Sequence, residues 1–297
     1  SLFQIPDLQN TKKMRYRKSF VELFYKILTG IACYSLIVIL GYIIFVIFKK
    51  GIGMLSLEMI TTVPSGGYYY GGEGGVLNAI AGSFYIAVGA TIIAIIVGVP
   101  AALFINSHLQ HKPRMQSFIR YMLDALWGIP SIVYGAFGFM LMIYLGMSAS
   151  LLAGIITVAF LITPIIIRTF DEVLNTIPKG LHESALALGY TRMQLAFKVL
   201  WKQGFSGFIT AVLLAFGRGI GDAASVLFTA GYTDLVPQYL DEPAATLPLA
   251  IFFQLSSPIP EVRNRAYAAG IILTAMILII SVSARLVSRK FSKTNLK

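Results

Sequence analysis

Apolar residues along this chain come in long unbroken runs, not in the period-2 alternation of half-buried strands. Six runs reach or pass the roughly 20 residues that a helix needs to cross a hydrocarbon core: 27–48, 79–105, 121–145, 150–170, 204–230 and 266–287. Lipid offers no partner to a bare backbone N–H or C=O, so only helices and closed barrels span it. Continuous runs do not suit barrel strands, which alternate lipid-facing and lumen-facing residues. The pattern therefore predicts an all-α, polytopic membrane protein with six transmembrane helices. The first run is longer than a signal-peptide core and has no small-residue cleavage pattern after it, so it reads as a retained span.

Composition agrees. Of 297 residues, 57% are hydrophobic and 12% are charged, about half the charge of a soluble domain. A soluble globule, a disordered chain and a fibrous protein are all excluded. The single cysteine, Cys33, excludes a disulfide scaffold and reads as a small buried hydrophobe of the first span.

The formal charge of +11 is distributed unevenly. Eighteen of the 24 Lys and Arg residues fall in the amino-terminal tail, the 106–120 and 171–203 loops and the carboxyl tail, against four in the opposite loops. Lys and Arg concentrate on the cytoplasmic side. The chain is thus predicted to cross its membrane with both termini cytoplasmic. That bias accounts for the net charge without a nucleic-acid partner. His108, His111 and His182 are scattered without metal-ligand spacing, and no Gly-x-x-x-x-Gly-Lys-Ser/Thr occurs. No metal site is expected, no cofactor is expected on this chain, and any nucleotide chemistry would belong to a partner.

The 171–203 loop carries its own local code. Residues 181–188 form a helical pattern with Leu181, Ala185 and Leu188 on one face, and Gly189 occupies the position of a helix C′ cap. Thr191 and Gln194 are spaced as a capping box that opens a second helix. Two short helices meeting at a glycine predict either a rigid knuckle in the cytoplasm or an amphipathic connector on the membrane surface.

Arg285, at the end of the last run, is counted with the carboxyl tail, which leaves two arginines inside apolar runs. Arginine at the middle of a span costs about 2.5–3.5 kcal/mol on insertion scales, so Arg218 is expected to face the bundle interior and to be functional. Asp222, one helical turn on, can pair with it. The pair reads as a packing device or as an anion site; Gly217, Gly219 and Gly221 favour the second by removing bulk. Arginine's planar fork suits a tetrahedral oxyanion. A protonated phosphate can also donate to a carboxylate, a use for Asp222 that sulfate lacks. Arg168, near the cytoplasmic end of the fourth span, either snorkels to the interface or lines a path. The outer loops 65–75 and 231–265 include Tyr68, Tyr69 and Tyr70 as candidate interfacial anchors, and 246–255 as a short re-entrant or surface helix.

Glu183-Ser184-Ala185 with Gly189 resembles the EAA loop of ABC-importer permeases, with Trp201-Lys202 where that pattern ends in Leu-Pro. Pro130-Ser131-Ile132-Val133, the stretch Pro164 to Thr169, and Gly217-Arg218-Gly219-Ile220-Gly221-Asp222-Ala223-Ala224 resemble, in order and spacing, the A-type permeases of phosphate-specific importers. Asp222 stands for that family's Glu, and Ala223-Ala224-Ser225 for its Thr-Ala-Pro. The resemblance implies a type I (MetI-like) permease core over 73–297, after a tail, accessory span and outer loop over 1–72. It implies a substrate path at Arg218, Asp222 and Arg168, and ATPase coupling through Glu183, Ser184, Ala185 and Gly189. The implied partners are a second, C-type permease, two ATPase subunits that use ATP and Mg, an external phosphate-binding protein and the lipid bilayer. Import of inorganic phosphate is the implied function. Alternatives are another oxyanion (phosphonate, sulfate or molybdate), a stand-alone anion channel or a secondary transporter. An intramembrane enzyme is disfavoured because the spans contain no histidine.

Overall fold

A computed structural model describes residues 8–65 and 74–294. Tyr68, Tyr69 and Tyr70 lie outside the described residues. The chain divides into two compact units, Ser1–Lys50 and Gly51–Lys297.

The first unit is essentially one helix, α1 (Leu8–Gly51). From Val21 onward its apolar side chains, Ile31, Leu36 and Phe45 among them, are exposed around the whole circumference. A helix that is apolar all round is a lipid-facing span. Cys33 is exposed on it, which corrects the expectation of burial: within this unit a single helix has no second helix to cover a small side chain.

The second unit is built around α3 (Leu77–Ser107) and α6 (Leu151–Asn175), its most extensively packed pair. Small residues at Gly89, Ala90, Ala94 and Gly98 let the two backbones approach, with Ile155, Ile162 and Ile166 filling the seam. This is the packing expected where lipid removes the hydrophobic drive between helices. Buried hydroxyls turn inward on their own helices: Thr91 and Thr157 each donate to the carbonyl four residues back, at 2.6 and 2.8 Å. Residues 51–65 belong to this unit as well. Met59 of α2 (Leu57–Thr61) is buried with Val76, Ala79 and Ala268.

The third predicted span is not one straight helix. Residues 121–145 divide between α4 (Pro113–Gly128) and α5 (Ser131–Tyr144), which meet at 94°. Pro130 lacks an N–H and forces Ile129 into extended geometry (φ −68°, ψ 131°). Among the described residues, five helices are long and apolar enough to cross a membrane, or six if the bent pair is one span.

After α7 (Lys179–Ala187), α8 (Arg192–Gln194), a π-helical stretch Leu195–Leu200 and α9 (Trp201–Ile220) run as one 29-residue helix. No proline interrupts it at Trp201-Lys202, so the helix opened by Thr191 continues directly into the fifth span. Trp201 seats it against α6, packing on Phe170 and Phe208 at centroid distances of 6.1 and 4.9 Å. The predicted 204–230 span ends at Ile220 instead, and turns follow over 221–230. Three glycines within five residues lower the helix propensity there.

The segment expected as a short re-entrant or surface helix is α10 (Leu247–Leu255), buried over Leu247–Ala250 and at Gln254 with Phe252 and Leu255 exposed. Thr246 caps it, and the Leu247 N–H donates to Ser83 Oγ at 2.7 Å. Gly82 makes room: a Cβ there would lie 2.0 Å from the Ala245 carbonyl oxygen. The last helix, α11 (Pro260–Thr294), packs on α9 and α10.

Candidate functional site

Arg218 sits in the last turn of α9 with an exposed side chain. It borders a groove of about 620 Å³ between α9 and α11, whose wall includes Thr210, Gly217, Ile277, Ser281 and Arg285. None of the lining residues is acidic. Among the described residues, Arg218 makes no ion pair or hydrogen bond. The expected pairing with Asp222 is absent, because α9 stops at Ile220 and Asp222 is no longer stacked one turn along. Its carboxylate instead accepts the Ser225 N–H at 2.7 Å, closing the turn after the helix. The three glycines divide their work. Gly219 packs on Val158 of α6, whereas a Cβ at Gly217 would meet nothing within 4 Å and faces open space.

Arg168 stands in the opposite situation. Its Nε donates to Asp124 Oδ1 at 2.5 Å, its Nη1 to Asp171 Oδ2 at 3.2 Å, and its Nη2 lies 3.4 Å from Glu172 Oε1. Asp171, fully buried, is the hub. Arg120 grips both of its oxygens at 2.8 Å, and Asn106 Nδ2 donates to Oδ1 at 2.7 Å. Arg120 also reaches Asn175 Oδ1 at 2.9 Å. The cluster ties α3, α4 and α6 together and saturates a carboxylate that would be costly to bury alone. Sequence reasoning singled out Arg168 and missed Asp171, Arg120 and Asn106. The available signal was the Arg–Asp pair three residues apart at the end of an apolar run.

The loop over 171–203 forms as its local code requires. Gly189 takes φ +82°, the left-handed C′ conformation, and the Tyr190 N–H returns to the Ala185 carbonyl at 3.1 Å. Thr191 and Gln194 form both halves of the capping box, at 3.2 and 2.9 Å. Ala185 is buried with Leu195, Ala196 and Leu200, while Glu183 and Ser184 point to solvent. Leu188 was expected beside Ala185 but is 80% exposed. It sits at the C-cap, where the chain turns away. His182 takes the inward position instead, with both ring nitrogens buried and unpaired. With Leu186 and Met193, Leu188 leaves an exposed apolar tip on the knuckle.

Comparison with known proteins is consistent with this arrangement. Residues 94–293 match the family model of the binding-protein-dependent transport system inner membrane component. The phosphate transport system permease protein PstA of Haemophilus influenzae is 32% identical, over 88% of this chain and 92% of its own length. PstA of Yersinia pestis is 33% identical, over 84% and 83%. Among solved structures, a chain of the inward-facing MetNI methionine ABC transporter superposes with a TM-score of 0.60 at 18% identity, covering 73% of this chain and 97% of that one. That likeness establishes the MetI-like helical fold. The chain belongs to the binding-protein-dependent transport system inner membrane components and, within them, to the PstA family of phosphate transport system permeases.

Proposed function

We propose that this chain is a membrane subunit of an ATP-driven importer and moves inorganic phosphate into the cell. The observation that carries the solute class is Arg218: a guanidinium on a membrane helix, facing an open groove, with no acidic partner among the described residues. A charge so placed needs a counter-ion, and a tetrahedral oxyanion satisfies the guanidinium fork. Asp222, four residues on, would meet the proton that phosphate keeps near neutral pH. Arg168, held by three carboxylates, would act on the path by positioning α4 and α6 more than by holding the anion.

The chain would pair with a C-type permease, and an external phosphate-binding protein would deliver the solute. Two ATPase subunits would dock on the knuckle, with Glu183 and Ser184 at the contact and Ala185 and Gly189 fixing its shape. Both termini would be cytoplasmic. A channel or secondary transporter has no use for a stiff cytoplasmic knuckle continuous with a span, and the relatives named for phosphate transport favour phosphate over other oxyanions. The test is uptake of radiolabelled phosphate by the complex in vesicles. Arg218→Ala is expected to lower uptake roughly 10-fold to 100-fold while leaving assembly intact; undiminished uptake would remove Arg218 from the path.

A further inference from the structure

The groove beside Arg218 holds a second arginine. Its wall takes Thr210, Gly217 and Arg218 from α9 and Ile277, Ser281 and Arg285 from α11. Ile277 is level with the end of α9, since its Cδ1 lies 4.0 Å from the place a Cβ on Gly221 would occupy. The groove follows falling residue numbers on α9 and rising numbers on α11, so the helices run antiparallel along it. Arg218 and Ile277 therefore stand at one end and Thr210 and Arg285 at the other. Eight residues of helix separate the two levels on each wall, about 12 Å. Two long arginine side chains can address one groove across that span.

Both guanidiniums lack an acidic partner among the described residues. The Ser281 hydroxyl lines the groove from α11, that of Thr210 on α9 donates to the Ser206 carbonyl at 3.3 Å, and no side chain at Gly217 narrows the groove. Like charges without a counter-charge are unfavourable beside lipid, and arginine with hydroxyl donors is the chemistry that binds a phosphate group.

We propose that Arg285, with Ser281, forms a second station for a phosphate group in transit, two helical turns from Arg218 toward the α9 amino terminus. This rests on the phosphate-import reading above. Arg285 would take the anion over from Arg218 and lower the cost of leaving it.

The same chemistry would suit an anionic lipid headgroup, so the test separates the two sources. The complete importer is reconstituted in vesicles of phosphatidylcholine alone and of phosphatidylcholine with phosphatidylglycerol. Phosphate uptake is normalised to the amount of complex and to its ATP hydrolysis. Arg285→Gln, which keeps a polar side chain but removes the charge and the guanidinium fork, is expected to lower uptake per ATP about tenfold in both vesicles, the scale of one lost charged hydrogen bond. Arg285→Lys is expected to restore most of it. Wild-type coupling in Arg285→Gln would overturn the second station, as would a deficit confined to vesicles with phosphatidylglycerol, which would assign the groove to lipid. Arg218→Gln is measured alongside. Full uptake by that variant would refute the path itself, whereas its loss beside wild-type uptake by Arg285→Gln would refute only the second station.

Discussion

Arg168 and Arg218 carry the same charge on neighbouring packed helices, yet the structure treats them in opposite ways. Arg168 meets Asp124, Asp171 and Glu172 within 3.4 Å, while Arg218 meets no carboxylate among the described residues. An intramembrane arginine is costly until compensated, and compensation can be internal or supplied from outside. Internal compensation makes a clamp. Its absence, beside an open groove, makes a site.

The sharpest way to break this contrast is at Asp171. Removing its carboxylate leaves Arg120 and Arg168 facing a buried gap, and truncating one partner of a buried pair costs about 3–5 kcal/mol. Asp171→Ala is expected to lower the thermal midpoint in detergent more than any other single change in the cluster. An unchanged midpoint would mean that the hub carries no structural load. Arg218→Ala should do the reverse. Its midpoint is expected to stay at or above wild type, because an uncompensated charge is removed, while phosphate uptake falls roughly 10-fold to 100-fold, the worth of charged hydrogen bonds to the anion. Equal loss of stability in both variants would erase the distinction between clamp and site.

A third change tests a region remote from both arginines. Gly189 alone carries the turn between α7 and α8 in left-handed geometry, and an L-residue there costs about 1–2 kcal/mol. Gly189→Ala is expected to leave phosphate interaction at Arg218 intact and to weaken coupling, read as ATP hydrolysis that no longer scales with uptake. Unaltered coupling would show that the knuckle tolerates a remodelled turn.

What the sequence disclosed follows range. The knuckle was legible because capping chemistry acts over three or four residues: Gly189, Thr191 and Gln194 announce it without reference to the rest of the chain. The spans were legible as lengths, but their breaks were read too weakly. Pro130 was present in the 121–145 run and its effect on Ile129 is local physics, yet continuous apolarity outweighed it. The end of α9 at Ile220 was harder, since three glycines permit a helix as well as its end. The cluster around Asp171 was out of reach. Its partners Arg120 and Asn106 are 51 and 65 residues away, and only the packing of α3, α4 and α6 brings them together. The missing Arg218–Asp222 pair has the same origin, because helical spacing predicts it only while the helix continues.

The smallest expected effect refines the clamp itself. Asp124 makes the shortest contact to Arg168, at 2.5 Å, but its side chain is half exposed while that of Asp171 is sealed. Exposed ion pairs return only about 0–1 kcal/mol, because water solvates the freed partner and holding two side chains together costs entropy. Distance and burial thus predict opposite rankings for the two acids, and burial should win. Asp124→Ala is expected to shift the midpoint by a fraction of the Asp171→Ala shift, and added salt should mimic it, since exposed pairs are screened. A double variant, Asp124→Ala with Arg168→Ala, measures the coupling between them directly. A coupling near zero would place the clamp on Asp171, Arg120 and Asn106 and leave the Asp124 contact as a surface pair. A coupling as large as the loss in Asp171→Ala would mean that α4 is held on α6 at two levels of one face, through Arg120 and Asp124, and that the bend at Pro130 is braced by charge as well as by proline.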